Sequence, residues 1–510
     1  MDILAFVLYF IAMIAIGVIF FLKSKAANEK DYFLGGRAMG PWVTAMSAQA
    51  SDMSAWLLMG LPGSILAFGF GQAWIGIGLA IGTAANWILV AKRLRKFSKA
   101  SGDAITLPQY LSNRFASKSH LVSIICAVVF LVCFTIYVAS AFVAGADVFT
   151  TLVPSLNPSR AMLIFAAIVI IYTFLGGFNA VCWTDFFQGL LMLAALLIVP
   201  IVVGFTRELE PAALATTYIG PNGEEFKFVA SFFNASWQDI LSGLGWGLGY
   251  FGMPHIIVRF MAIEKPSMVK KSATVAIIWV ILSLGAAIMI AYLGRMFVYS
   301  NGVDLSAVLL SEGKQSLIFV ELAKDVFPAF IAGLLLAAII AASMSTADSQ
   351  LLVAASSFAS DLYKPIIRKN ASNKEMMWVS RIIVMVIAMI AYFIASSKGE
   401  AAQAIMDLVS NAWGIFGAAF GPVVLFSLFW KRFTYKGAVV GIVVGALVDM
   451  LWLWLPVAGS TLTAITGVYE IIPGFVLGGF AAVVATFLDK APSQEVMEIF
   501  AKATDNSIDD

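Results

Sequence analysis

The sequence predicts an all-α integral membrane protein of thirteen transmembrane helices, and three observations carry that expectation. Hydrophobic residues make up 61% of the chain and charged residues only 12%, more apolar surface than a water-soluble fold can hide. Apolar windows of about 20 residues, the length that crosses a bilayer core, recur along it. Lys and Arg also fall unequally on the two sides that such a path defines. Length alone would suggest roughly three soluble domains, a prior that this composition overrules. The formal charge of +2 points to no acidic partner.

The windows cover 3–22, 42–68, 71–91, 119–149, 160–178, 183–205, 237–258, 272–299, 327–357, 378–397, 402–430, 437–456 and 467–488. No basic residue precedes the first. It is about twice as long as a signal-peptide core, no small-residue cleavage site follows it, and Lys23 and Lys25 come directly after. It is therefore expected to be a retained helix with its N-terminus outside. The segment Thr106–Phe115 is too short and polar to span, and reads as an interfacial helix. On this path the large majority of the 32 Lys and Arg lie on the cytoplasmic side, as the positive-inside rule requires. The polar stretches 207–238 and 301–324 are external and the tail from Lys490 is cytoplasmic, so no appended catalytic or signalling domain is expected.

Cys126, Cys133 and Cys182 lie in or beside apolar stretches and read as reduced packing thiols. With two His besides, they are too few and too scattered for a metal site or a disulfide framework.

Three spans depart from the apolar pattern, and polar groups at membrane depth mark function. Span two carries Ser47-Ala48-Gln49-Ala50-Ser51-Asp52-Met53-Ser54 near its middle. Span seven carries five glycines and Pro254 between Ser242 and Pro254, a composition that does not sustain a regular helix. Unwound backbone at that depth survives only where protein buries it or a wet cavity accepts it. The two broken spans stand five helices apart, as in transporters built from inverted repeats. Spans two to six and seven to eleven would then form a 5+5 pair. The implied divisions are 1–41, a first repeat 42–205, an external loop 206–236, a second repeat 237–430, two C-terminal helices 431–488 and a tail 489–510. The plainer alternative is that the glycines of span seven let it pack closely on a neighbour.

In span nine, Ala342, Ser345 and Thr346 stand at i, i+3 and i+4 and share one helix face. Two hydroxyls there, with carbonyls freed by the break in span two, would suit Na⁺. The same hydroxyls could equally bond back to their own helix.

At these residues the sequence resembles the sodium:solute symporter family and, within it, the sodium/proline symporters. The likeness rests on Phe33-Leu34-Gly35-Gly36-Arg37, on the stretch from Ala50 through Trp56 to Gly63, on Trp246–Arg259 and on Ser345–Leu352. It implies a leucine-transporter-type fold with one extra N-terminal and two extra C-terminal helices. It implies a Na⁺ site at the backbone oxygens of Ala50, Met53 and Ala342 and the hydroxyls of Ser345 and Thr346. It also implies a solute site at Trp246, Tyr250 and Pro254, faced by Tyr137 and Trp56, and roles in coupling for Asp52, Arg37 and Asp185. Met253 stands where the family would lead one to expect glutamine.

The resemblance thus implies Na⁺-coupled import of L-proline or a similar small amino acid across a bacterial inner membrane. The partners would be the solute, Na⁺ and membrane lipid, with no nucleic acid, and a monomer suffices. Broken helices suit a zwitterion, because helix N-terminal amides meet its carboxylate and aromatic faces hold its ring and ammonium. Coupling of another small carboxylate solute to Na⁺ or H⁺ is the rival reading, since Asp52 is titratable. The sequence shows no filter or pore-lining ring for a channel. His120 and His255 pair with nothing that would make an enzyme.

Overall fold

The computed structural model describes residues 2–23, 29–175, 177–219, 225–302, 314–397, 404–457 and 459–505. Lys25, the middle of the 301–324 stretch and the first residues of the 402–430 window lie outside these. In chain order the helices that frame the fold are α1 (Asp2–Lys23), α2 (Pro41–Asp52), α3 (Leu61–Phe68), α4 (Ala73–Ala100), α5 (Leu107–Arg114), α6 (Leu121–Leu152), α7 (Pro158–Leu175) and α8 (Phe178–Thr206). They continue as α9 (Trp237–Gly245), α10 (Pro254–Ala262), α11 (Val269–Ser300), α12 (Ala329–Ser357), α13 (Asn373–Ser397) and α14 (Ala404–Phe429). The last three are α15 (Tyr435–Trp454), α16 (Ile471–Leu488) and α17 (Gln494–Thr504). Among the described residues, ten helices are long and apolar enough to cross a membrane. The windows at 42–68 and 237–258 are each broken into shorter rods.

Local chemistry sets several boundaries. Pro41 and Pro254 occupy the first turns of α2 and α10, where a missing N–H costs nothing. A capping box between Ser236 and Asp239 starts α9, and Thr434 and Ser493 cap α15 and α17. One element runs well past its hydropathy window. The 71–91 window continues to Ala100, through a π-helical stretch at Asn86–Ala91. Its extension alternates buried Leu94 and Phe97 with the basic residues Lys96 and Lys99. An amphipathic face keeps a helix going after membrane-grade hydrophobicity has ended. Two short antiparallel hairpins, Thr217–Ile219 with Glu225–Lys227 and Pro456–Val457 with Ser460–Thr461, interrupt the all-α expectation, both in loops.

The helices form layers around α12 and α14. Within the most apolar stretches of these two, 78% and 83% of residues are buried, against 22% for α1. Helix α12 packs on α1, α6, α8 and α13, and α2 packs on α8, α10 and α11. Helices α14, α15 and α16 pack tightly on one another, and α14 also packs on α6 and on the turn Trp246–Phe251. Outer positions such as Ile3, Leu4, Ile11, Ile382 and Phe480 expose large apolar side chains, the face a lipid environment requires.

Candidate functional site

The candidate site lies where α2 ends against the middle of α12. A helix leaves its last carbonyls without intrahelical donors, and these carry the negative end of its dipole. Here the ladder fails early, because Ser54 N turns to Asp52 O at 3.0 Å instead of continuing to Ala50. Met53 leaves the helix with φ −83° and ψ 77°. Ala50 O accepts instead from Ser345 Oγ of α12 at 2.8 Å, and the same hydroxyl reaches Ala342 O at 3.2 Å. Thr346 Oγ1 is buried beside it with no hydrogen-bond partner among the described residues. The fold therefore brings Ala50, Ala342 and Ser345 into direct contact, puts Met53 at the helix end and leaves one hydroxyl unspent.

Asp52 connects this corner to the broken seventh window. It is fully buried, and its Oδ2 accepts a 2.5 Å hydrogen bond from Tyr250 Oη. Trp56 Nε1 donates to Asp52 O at 3.3 Å. Tyr250 sits on a six-residue 3-10 turn, Trp246–Phe251, between α9 and α10. Trp246 lies on the same turn, 6.4 Å from Trp56 between ring centroids. Pro254 starts α10, and Tyr137 of α6 meets the ring of the adjacent His255 edge-on at 6.3 Å. Among the described residues Asp52 forms no ion pair, and its hydrogen-bond partner is the phenol of Tyr250.

Two aromatic residues that the sequence did not single out complete the cluster. Trp246 stacks on Tyr469 at 5.1 Å and on Trp413 at 6.3 Å, and Trp413 Nε1 donates to Trp246 O at 2.8 Å. The 3-10 turn approaches α14 so closely that a Cβ on Gly249 would lie 2.0 Å from Trp413 Nε1. The glycines thus serve both the break and close packing. A cavity of ≈ 480 Å³ reaches Trp246 from the end of the bundle that the charge asymmetry predicts to be external. Asp239, Asp407, Tyr469 and Glu470 line it.

Asp185 belongs to a buried knot beside this corner. Its Oδ2 accepts from Ser47 Oγ at 2.7 Å and from Arg259 Nη2 at 3.1 Å. Arg259 also donates to Ser349 Oγ at 2.5 Å and to His255 O at 2.6 Å. One ion pair thereby ties α2, α8, α10 and α12 together. Removing either partner would leave an uncompensated buried charge. Arg259 went unassigned from sequence, although a lone charge in an apolar run was the available signal.

Arg37 does not enter the site. It closes the opposite, basic end of the bundle: Nε donates to Asp103 at 2.8 Å, Nη2 to Ala104 O at 2.7 Å and Nη1 to Met261 O. Met39 adds backbone bonds to Ala262 O and from Glu264 N. Burial works to raise the pKa of Asp103, but Lys30 and Arg37 outweigh it and hold the carboxyl below its ordinary range. The Asp103 carboxylate of this latch is therefore charged at neutral pH, and its contribution is lost as pH falls through that lowered value.

A family model described as the sodium:solute symporter family matches residues 32–445. The sodium/proline symporter of Salmonella typhimurium is 43% identical over 506 residues, covering 98% of this chain and 95% of that protein. The high-affinity proline transporter PutP of Bacillus subtilis is 41% identical over 488 residues, 96% of this chain and 98% of its own. Among solved structures, a Na⁺-coupled sialic acid symporter in a substrate-bound outward-open state superposes with a TM-score of 0.75. It covers 97% of this chain and 99% of its own at 20% identity, a likeness of fold alone.

Proposed function

The chain belongs to the sodium:solute symporter family, and on that premise we propose that it imports L-proline together with Na⁺ by alternating access. The observation that carries the reading is the junction of α2 with α12, where Ser345 holds two helix carbonyls and Thr346 beside it has no partner. Na⁺ favours such hard oxygens. The groups that would hold it are the carbonyls of Ala50, Met53 and Ala342 and the hydroxyls of Ser345 and Thr346, with the Ser345 hydrogen turned away from the ion. Filling this corner ties the end of α2 to α12 and fixes Asp52, which holds Tyr250. Ion binding therefore orders the solute side, formed by Trp246, Tyr250, Pro254, Tyr137 and Trp56. Asp185 keeps the surrounding helices in register, and Arg37 holds the inner end shut until the solute is bound.

The proposed frame is thirteen spans with two five-helix inverted repeats at 42–205 and 237–430. The N-terminus is outside and the C-terminus in the cytoplasm of a bacterial inner membrane. One Na⁺ moving with a zwitterion carries one net charge, so each 100 mV contributes ~2.3 kcal/mol, roughly 50-fold accumulation. Uptake of labelled proline into vesicles, with Na⁺, Li⁺ and H⁺ gradients imposed separately, tests the whole reading. Proline should accumulate under the Na⁺ gradient. Accumulation under a pH gradient without Na⁺ would overturn the ion assignment.

A further inference from the structure

The basic end of the bundle holds a pocket that the transport reading does not use. A cavity of ≈ 430 Å³ opens between the end of α4, the turn at Gly102 and Asp103, the link Glu264–Pro266 and α17. Its charged lining is Arg95, Lys96, Lys99, Lys265 and Lys502 against Asp103 and Glu264. Asp103 is already engaged by Lys30 and Arg37, neither of which lines the cavity. Lys96 is drawn to the carbonyl of Asp505. Among the described residues, Lys99, Lys265 and Lys502 meet no carboxylate within ion-pair distance.

A second observation comes from Arg95, which is 4% exposed. Its Nε donates to Ile263 O at 2.6 Å and its Nη2 to Glu264 O at 2.9 Å, while Nη1 is buried with no acceptor among the described residues. A guanidinium with a donor to spare, beside three ammoniums that meet no carboxylate among the described residues, suits a ligand that offers several charged oxygens at once.

We propose that this pocket binds a phosphate-bearing anion. Inorganic phosphate and the headgroup of an anionic phospholipid share that chemistry, and the pocket lies at the end of the bundle where inner-leaflet headgroups would sit. Its walls are the elements that Arg37 and Met39 already join, namely the end of α4 and the link after α10. A bound anion therefore adds a second tie across the same closure and favours the state shut at the basic end.

The test uses the full chain in nanodiscs and reads thermal unfolding in two arms. One titrates inorganic phosphate in phosphatidylcholine discs, against chloride at matched ionic strength to remove simple screening. The other replaces phosphatidylcholine with phosphatidylglycerol in phosphate-free buffer. The melting temperature should rise in at least one arm. In the triple variant Lys99→Gln, Lys265→Gln, Lys502→Gln, half-saturation should need about tenfold more anion or more, because charge-assisted contacts are lost. Lys374→Gln, an exposed lysine elsewhere, should behave as wild type. A rise in the phosphate arm alone identifies a soluble anion, and a rise in the lipid arm alone identifies a headgroup. No rise in either arm, or an equal rise in the triple variant, overturns the proposal. If the triple variant does not fold, Lys502→Gln on α17 carries the same comparison.

Discussion

In the 42–68 window the helix stops between Asp52 and Trp56, whereas the 237–258 window tightens into a 3-10 turn before Pro254 restarts it. The first break spends backbone. It strips Ala50 of its helical donor and hands that carbonyl to a hydroxyl from α12. The second keeps its backbone mostly paired and turns side chains instead, setting Trp246 and Tyr250 among other rings. Carbonyls at a helix end recognise a small cation, while aromatic faces recognise an organic solute. The two breaks meet in one hydrogen bond, Tyr250 to Asp52. Coupling on this scheme is a contact between two different kinds of irregularity.

Asp52→Asn should break that comparison most severely. A carboxylate roughly 5 Å from a cation at an effective dielectric of about 20 contributes ~3 kcal/mol. The Na⁺ concentration for half-maximal uptake should therefore rise about 100-fold. A rise of less than about fivefold would reduce Asp52 to a tether for Tyr250.

Thr346→Ala isolates the backbone-rich break. Losing one buried ligand to an ion costs ~1.5–3 kcal/mol, so the Na⁺ requirement should rise tenfold or more. Proline affinity measured at saturating Na⁺ should change far less. An unchanged Na⁺ dependence would remove Thr346 from the ion site.

Trp246→Ala addresses the side-chain-rich break. Proline binding should weaken about 5- to 30-fold, for a desolvated ring contact of ~1–2 kcal/mol, with Na⁺ dependence intact. Tyr250→Ala should instead move both parameters, since Tyr250 touches Asp52. Purely local effects in the two variants would mean that the breaks are not coupled through this bond.

The smallest effect is expected at Tyr469, which stacks on the outer side of Trp246. Tyr469→Ala forfeits a ring pair of ~0.5–1.5 kcal/mol, so half-saturating proline should rise only about two- to tenfold. A loss as large as that of Trp246→Ala would make Tyr469 part of the binding surface itself.

Much of this was legible along the chain because a bilayer punishes irregularity. Polar residues in span two and glycines in span seven stand out only against uniformly apolar neighbours. The i, i+3, i+4 spacing of Ala342, Ser345 and Thr346 places them on one face by helix geometry alone. Trp413 and Tyr469 gave no such signal, since aromatic residues are ordinary in membrane spans and at their edges. Arg37 was recognisable as part of a motif, yet its place at the basic end, hooked to Asp103 and Met261, follows from contacts made across distant segments.

The sequence by itself determined that this chain lives in a membrane, where most of its long apolar helices run and which two windows break, because hydropathy and helix propensity act over neighbouring residues. Tertiary structure alone decided what fills each break. Ser345 meets Ala50 across nearly three hundred residues, and Tyr250 meets Asp52 across nearly two hundred. No local periodicity encodes such a pairing. It follows from how α2, α12 and the 3-10 turn pack, and packing is settled by the shapes of all the neighbouring side chains at once.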